Sequence, residues 1–218
     1  MAITDTIQTI EDALEFVNKY GCVTLFPLKR LEFPNLFSAI KGTTEYKFSK
    51  AWLFADTLAL DKKIHYVKYI SNKITLISLD LLPCFYNLFG RDFKPTSPIQ
   101  IAILNHLSEE GITSTKALRK ELQITSVYES KEFSKAIGIL WSNFKIAVAG
   151  KTEEPIIVYW DLIERWYDRD VLNNDNCNTD KKQLIDNILT RVTEKINWIS
   201  KTKLKTFCLL YTSDAADE

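Results

Sequence analysis

The chain has 218 residues, 28 basic (Lys and Arg) against 28 acidic, and 46% of them are hydrophobic. That apolar content, with many aromatics and few glycines, excludes a disordered chain and suffices for one large or two small cores. No apolar run approaches the roughly 20 residues of a membrane span. Residues 1–9 lack a basic stretch followed by an apolar core, so the expected location is the cytoplasm.

In chain order, Thr9 and Asp12 form a capping-box pattern ahead of a helical stripe of Ile10, Ala13, Leu14 and Val17, closed by Gly21. Residues 22–26 read as a short strand. A second helix opens at Phe33-Pro34-Asn35-Leu36 and stops near Gly42, and a third covers 51–60. Residues 63–70 and 73–78 read as a hairpin with Ser71-Asn72 at its turn. Residues 80–89 read as a helix that tolerates Pro83 in its first turn and closes at Gly90. Residues 1–95 are therefore expected to form an α+β subdomain. Cys22, Cys84 and Cys177 are widely spaced, which argues against a disulfide framework or a CxxC metal site.

Residues 96–168 read as a winged helix-turn-helix. Ser97 caps and Pro98 opens a helix whose face is Ile99, Ile103, Leu104 and Leu107, ended by Gly111. Ser114 caps a short second helix over 115–122 with Ala117, Leu118 and Leu122 inward. Ser126 and Glu129 form a capping box for a third, with Phe133, Ile137, Leu140, Trp141 and Phe144 on its apolar face. The opposite face carries Lys131, Lys135 and Ser142, with Lys145 just beyond. Residues 146–149 and 156–160 are β-rich, and 150–155, with Lys151, would be the wing tip. Asp161 and Glu164 suggest a further capping box for a helix running to about Tyr167. This order of elements can present a helix and a wing to duplex DNA, with Lys131, Lys135, Lys145 and Lys151 at phosphates and Ser130, Ser134 and Ser142 assisting. The opposing reading is a solvated face, and residues 97–172 hold nine basic against eleven acidic residues, an unusual balance for a phosphate binder.

Residues 169–179 read as an Asn/Asp-rich linker. Residues 180–207 echo the 103–118 pattern and are expected to begin a second, truncated winged helix; 181–207 carry seven basic and two acidic residues. The last stretch, 208–218, resembles the in-frame translation of a transposase end plus sequencing adapter and is expected to be non-native. Without it the balance is 28 basic to 25 acidic, and the gene is expected to continue past Phe207. The expected architecture is α+β and mainly helical.

The segments Ile10 to Pro27, Pro34 to Gly42, Ala51 to Tyr86 and Tyr159 to Asp168 resemble the AlkZ-related winged-helix proteins, over roughly residues 8–172. That resemblance implies double-stranded DNA as a partner. The enzymes among these relatives are DNA glycosylases that excise alkylated bases with a Gln–aliphatic–Gln or Gln–aliphatic–Asp motif. Here Gln8, Gln100, Gln123 and Gln183 have no Gln or Asp two positions on, so the resemblance implies binding without a visible catalytic pair.

There is no GxGxxG, Walker A loop or HExxH, and His65 and His106 lack the spacing of a metal site, so no cofactor and no metal are expected. Residues 41–73 hold seven lysines and three acids interleaved with Tyr46, Phe48, Trp52, Phe54, Tyr66 and Tyr69, a pattern that fits either phosphates and stacked bases or a core beneath a solvated face. Asp56 and Asp80 are candidates only as acids beside aromatic sequence, and the preferred reading of both is a helix cap or first-turn charge. Three functions stay open: a DNA-binding protein, a glycosylase for damaged bases, and a protein-interaction winged helix. A pocket lined by an acid or amide and aromatics would favour the second. The acidic balance of 97–172 and the outward Ile139 motivate the third.

Overall fold

In the computed structural model the described residues are 6–29, 33–152 and 154–173, with 180, 182–184, 186, 187 and 190. The fold is α+β, with two small antiparallel sheets. The chain divides into two compact units, Met1–Cys84 with Asp175–Glu218, and Phe85–Asn174. Among the described residues no helix is long and apolar enough to cross a membrane.

The first unit opens with α1 (Ile10–Tyr20), held at its start by the expected Thr9–Asp12 capping box. Ala13, Phe16, Val17 and Tyr20 face inward, and Gly21 ends the helix at φ 73, where a side chain would be strained. β1 (Cys22–Thr24) follows. The second helix is shorter than expected: α2 (Leu36–Ala39) is capped by Asn35 and stops where Ile40 bridges to Ile7. α3 (Thr44–Leu60) is longer than expected, because Thr43 accepts a hydrogen bond from the Tyr46 amide and so starts it seven residues earlier. β2 (Ile64–Lys68) and β3 (Ile74–Ser78) form the predicted hairpin, with Ser71 and Asn72 in left-handed conformations at its turn. β1 adds to the far side of β3, giving the order β1-β3-β2. Cys22 is buried and takes no part in a disulfide. Against the expectation of no disulfide framework, Cys84 is disulfide-bonded.

His65 lies on β2 opposite Ile77 and is buried. Burial pushes its imidazole from 6.5 down to about 3, so it folds neutral. The unfolded chain therefore binds the extra proton between those values, and stability is full above about 6.5 and declines as pH falls below it. His65→Phe is expected to flatten the fall in thermal midpoint between neutral and mildly acidic pH. An unchanged pH profile would show that His65 does not govern it.

In chain order, α4 (Leu82–Phe85) passes into a π-helical turn, Tyr86–Gly90, where the predicted helix also closes. A Cβ at Gly90 would lie 2.7 Å from the Tyr86 ring and 3.0 Å from the Phe144 carbonyl oxygen, so the close approach requires glycine. α5 (Pro98–Glu110) starts at Ser97 and adds a box absent from the sequence reading, with the buried Gln100 accepting from the Thr96 amide at 2.8 Å. β4 (Thr113–Ser114), α6 (Thr115–Glu121), α7 (Val127–Ser142), β5 (Ile146–Lys151) and β6 (Val158–Leu162) follow. β6 pairs antiparallel with both others in the order β4-β6-β5, with a bulge between Val148 and Gly150. Phe133, Ile137, Leu140, Trp141 and Phe144 all face inward as expected, joined by Ile103, Leu107 and Leu118. The Trp141 and Trp160 rings meet edge to face at 5.3 Å, which ties α7 to the sheet.

The C-terminal edge of this unit departs from the sequence pattern. Asp161 and Glu164 do not form a capping box. Asp161 accepts from the Leu162 amide at 2.7 Å and pairs with Arg165, so α8 (Ile163–Trp166) has no side-chain cap. The i, i+4 partner outcompetes the local cap because it also neutralises a buried carboxylate. The linker reading of 169–179 is corrected in its first turn, which is helical: α9 (Arg169–Leu172) buries Leu172. Of 180–207 only the opening is described. Asp180 and Gln183 exchange hydrogen bonds, and Leu184 is buried. The echo of a second winged helix, its basic run, Cys177 and the tail 208–218 lie outside the described residues.

Candidate nucleic-acid interface

Two helices and a hairpin build the candidate surface. Ser114 caps α6 by accepting from the Ala117 amide. Thr115 fixes the start of α6 to the sheet, donating to the Val158 carbonyl at 3.0 Å and accepting from Trp160 Nε1 at 2.8 Å. α6 ends in a turn that places Gln123 at φ 53. α7 then begins at Ser126, whose hydroxyl accepts from the Glu129 amide while the Glu129 carboxylate takes the Ser126 and Thr125 amides. Those backbone donors hold Glu129 ionised, lowering its carboxyl to about 2. The α7 N-terminus thus carries its own negative charge.

The sequence-predicted residues separate into three groups. Lys131 and Lys135 stand exposed, four residues apart on α7. Ser130 and Ser134 turn toward α6 instead, where they accept from Arg119 Nη1 and Nη2, each at 3.2 Å. Ser142 is half-buried and donates back to the Ile139 carbonyl at 3.1 Å. Lys145 is drawn inward: its ammonium lies 3.3 Å from the Gly90 carbonyl and 3.4 Å from Glu164. Lys151 is the last residue of β5, opposite Val158, in the last pair of the ladder before the hairpin loop. Thr152 orders the loop, accepting from the Ile157 amide and donating to the Pro155 carbonyl.

Arg119 was missed. Its guanidinium also lies 5.0 Å above the Phe133 ring, so it grips α7 by two hydrogen bonds and a stacked face. The two serines four apart were visible in sequence, but the crossing of α6 over α7 that lines them up with Arg119 was not. Arg119→Ala is expected to cost about 1–2 kcal/mol of unfolding free energy. Arg119→Lys should recover little of it, because an ammonium cannot reproduce the fork. Equal melting of Arg119→Lys and the unaltered chain would show that the fork is dispensable.

In the same unit a cavity of about 250 Å³ is lined by Tyr86, Glu164, Arg165, Arg169 and Asn173, with Leu162 and Leu172. The Tyr86 hydroxyl donates to Glu164 at 2.5 Å. That bond and the neighbouring Lys145 hold the Glu164 carboxyl below its usual range. Arg91 donates to Asn173 at 2.7 Å. The other acids singled out in sequence have local partners: Asp56 hydrogen-bonds Tyr66, and Ser78 donates to Asp80. Gln100 and Gln183 serve as cap partners. Among the described residues no cluster of histidine, cysteine and carboxylate side chains could hold a metal ion.

These are the features of a two-unit α+β protein with an exposed lysine face on a sheet-anchored helix pair. The chain belongs to the AlkZ-related family, whose model, described as "AlkZ related", matches residues 7–209. No curated protein and no solved structure matches it.

Proposed function

We propose that the second unit is a winged helix that binds double-stranded DNA, with α7 as the helix laid toward the duplex and the β5–β6 hairpin as the wing. The observation that carries this reading is the placement of Lys131 and Lys135, exposed together on α7, the third helix of the unit and the one before its hairpin. Membership of the AlkZ-related family supports it. Lys131 and Lys135 neutralise phosphates; Arg119 holds the angle at which α7 presents them. Ser130 and Ser134 act through Arg119, while Lys151 and Ser142 flank the face and Lys145 is the weakest contributor because it is already engaged. The test is duplex affinity against salt concentration. Log affinity falling linearly with log salt, by roughly 0.9 per phosphate contacted, supports the reading. Weak, salt-independent association would overturn it and favour a protein partner instead.

One observation favours a second reading, excision of a damaged base: the cavity joins a carboxylate, an amide and an aromatic ring in Glu164, Asn173 and Tyr86. Its test is free-base release from alkylated duplex by the unaltered chain and by Glu164→Gln. Release lost in Glu164→Gln supports excision at this cavity, and no release from either removes it.

A further inference from the structure

The first unit carries a surface that duplex binding does not use. α3 is buried only along its later turns, through Ala51, Phe54, Ala55, Leu58 and Ala59. Its first turns project large rings into solvent: Tyr46 is 46% exposed and Phe48 53%. Phe48 stacks on Phe26 at 5.3 Å with the planes 21° apart, and Phe26 also meets Trp52 edge-on at 5.8 Å. The Lys47 ammonium lies 5.9 Å from the centre of the Phe37 ring, and Lys50 lies 5.6 Å from that of Tyr46. Neither lysine pairs with a carboxylate among the described residues.

An exposed half-helix of this composition contributes little to the core, so its rings need another explanation. Generic apolar contact with a protein is served by aliphatic side chains and gains nothing from ammonium groups spread over the rings. Flat π-faces beside unpaired cations complement a chain of flat bases joined by phosphates. We propose that this face of α3 binds single-stranded nucleic acid, with an unpaired base stacked on Phe48 and the next against Tyr46. Lys47 and Lys50 take the intervening phosphates. The charge of the surrounding segment is of the right sign: residues 41–73 hold seven lysines against three acids. The site lies wholly within the first unit and does not depend on the winged-helix reading of the second.

The experiment is titration of the full chain with oligothymidylate, followed by fluorescence anisotropy, beside a duplex probe. Phe48→Ala is expected to weaken oligothymidylate binding roughly tenfold, since each stacked base contributes about that much. Phe48→Trp should keep the affinity and Phe48→Leu should lose it, because leucine supplies apolar area without a π-face. Lys47→Ala with Lys50→Ala should reduce the log–log salt slope by about 1.4. Duplex affinity should not change in any of these variants, which separates this site from the one on α7. Phe48 is exposed, so matched thermal melts confirm that each variant is folded. The proposal is overturned if the unaltered chain does not bind oligothymidylate, if Phe48→Leu binds as well as the unaltered chain, or if the lysine pair leaves the slope unchanged.

Discussion

Replacing Lys131 and Lys135 together by glutamate is expected to lower duplex affinity roughly tenfold or more at low salt and to reduce the salt slope by about 2. Both side chains are exposed, and neither has a structural partner to lose among the described residues. The same reversal should therefore leave the melting temperature within experimental scatter, since surface substitutions away from special features cost little. The pair is diagnostic for that reason. Lys145→Glu would disturb the Gly90 and Glu164 contacts and confuse folding with binding. Anisotropy titration across a salt series reads both quantities. Duplex binding that survives the double reversal with its slope intact would remove α7 from the interface and sink the assignment of the helix.

The largest stability effect is expected at Phe144, just after α7. Its ring is fully buried and packs against Phe85 at 5.6 Å and Phe89 at 6.3 Å, linking the π-helical turn to the α7–β5 corner. Phe144→Ala should cost about 3–5 kcal/mol, the range for deleting a buried phenyl group. The backbone there sits at φ 53, an unfavourable conformation for alanine as for phenylalanine, so the substitution relieves nothing. Denaturant unfolding of the full chain, followed by near-ultraviolet dichroism, should show the transition of the second unit move to lower denaturant. A loss below about 1 kcal/mol would show that the three rings are not a cooperative part of the core.

The caps were the most legible part of this fold. Thr9 with Asp12, Ser97 with Pro98, Ser114, and Ser126 with Glu129 each announce a helix, because capping is a contact between residues three apart. Lys131 and Lys135 were legible for the same reason: one helix and its apolar stripe fix which face remains. The start of α3 was not, since Tyr46 and Phe48 are apolar yet outward and break the periodicity that sequence reading follows. β4 is two residues long and exists only because β6 pairs with it. Arg119 lies eleven and fifteen residues from the serines it holds, a distance no local pattern spans. At Asp161 the local rule suggested a cap, and a buried ion pair prevailed.

The Glu129 box has a consequence for how α7 meets anything at all. A bare helix end attracts anions through its unsatisfied amides; this one sets the ionised Glu129 carboxylate on the Thr125 and Ser126 amides, while the Ser126 hydroxyl takes the Glu129 amide. The tip therefore repels a phosphate and leaves Val127 and Tyr128, 76% and 73% exposed, as its foremost groups. A duplex gripped along the flank of α7 would find two apolar side chains pointed at it, with a carboxylate behind them. The contact of those two side chains would be sensitive to whatever methyl groups or edges lie on the floor of a groove.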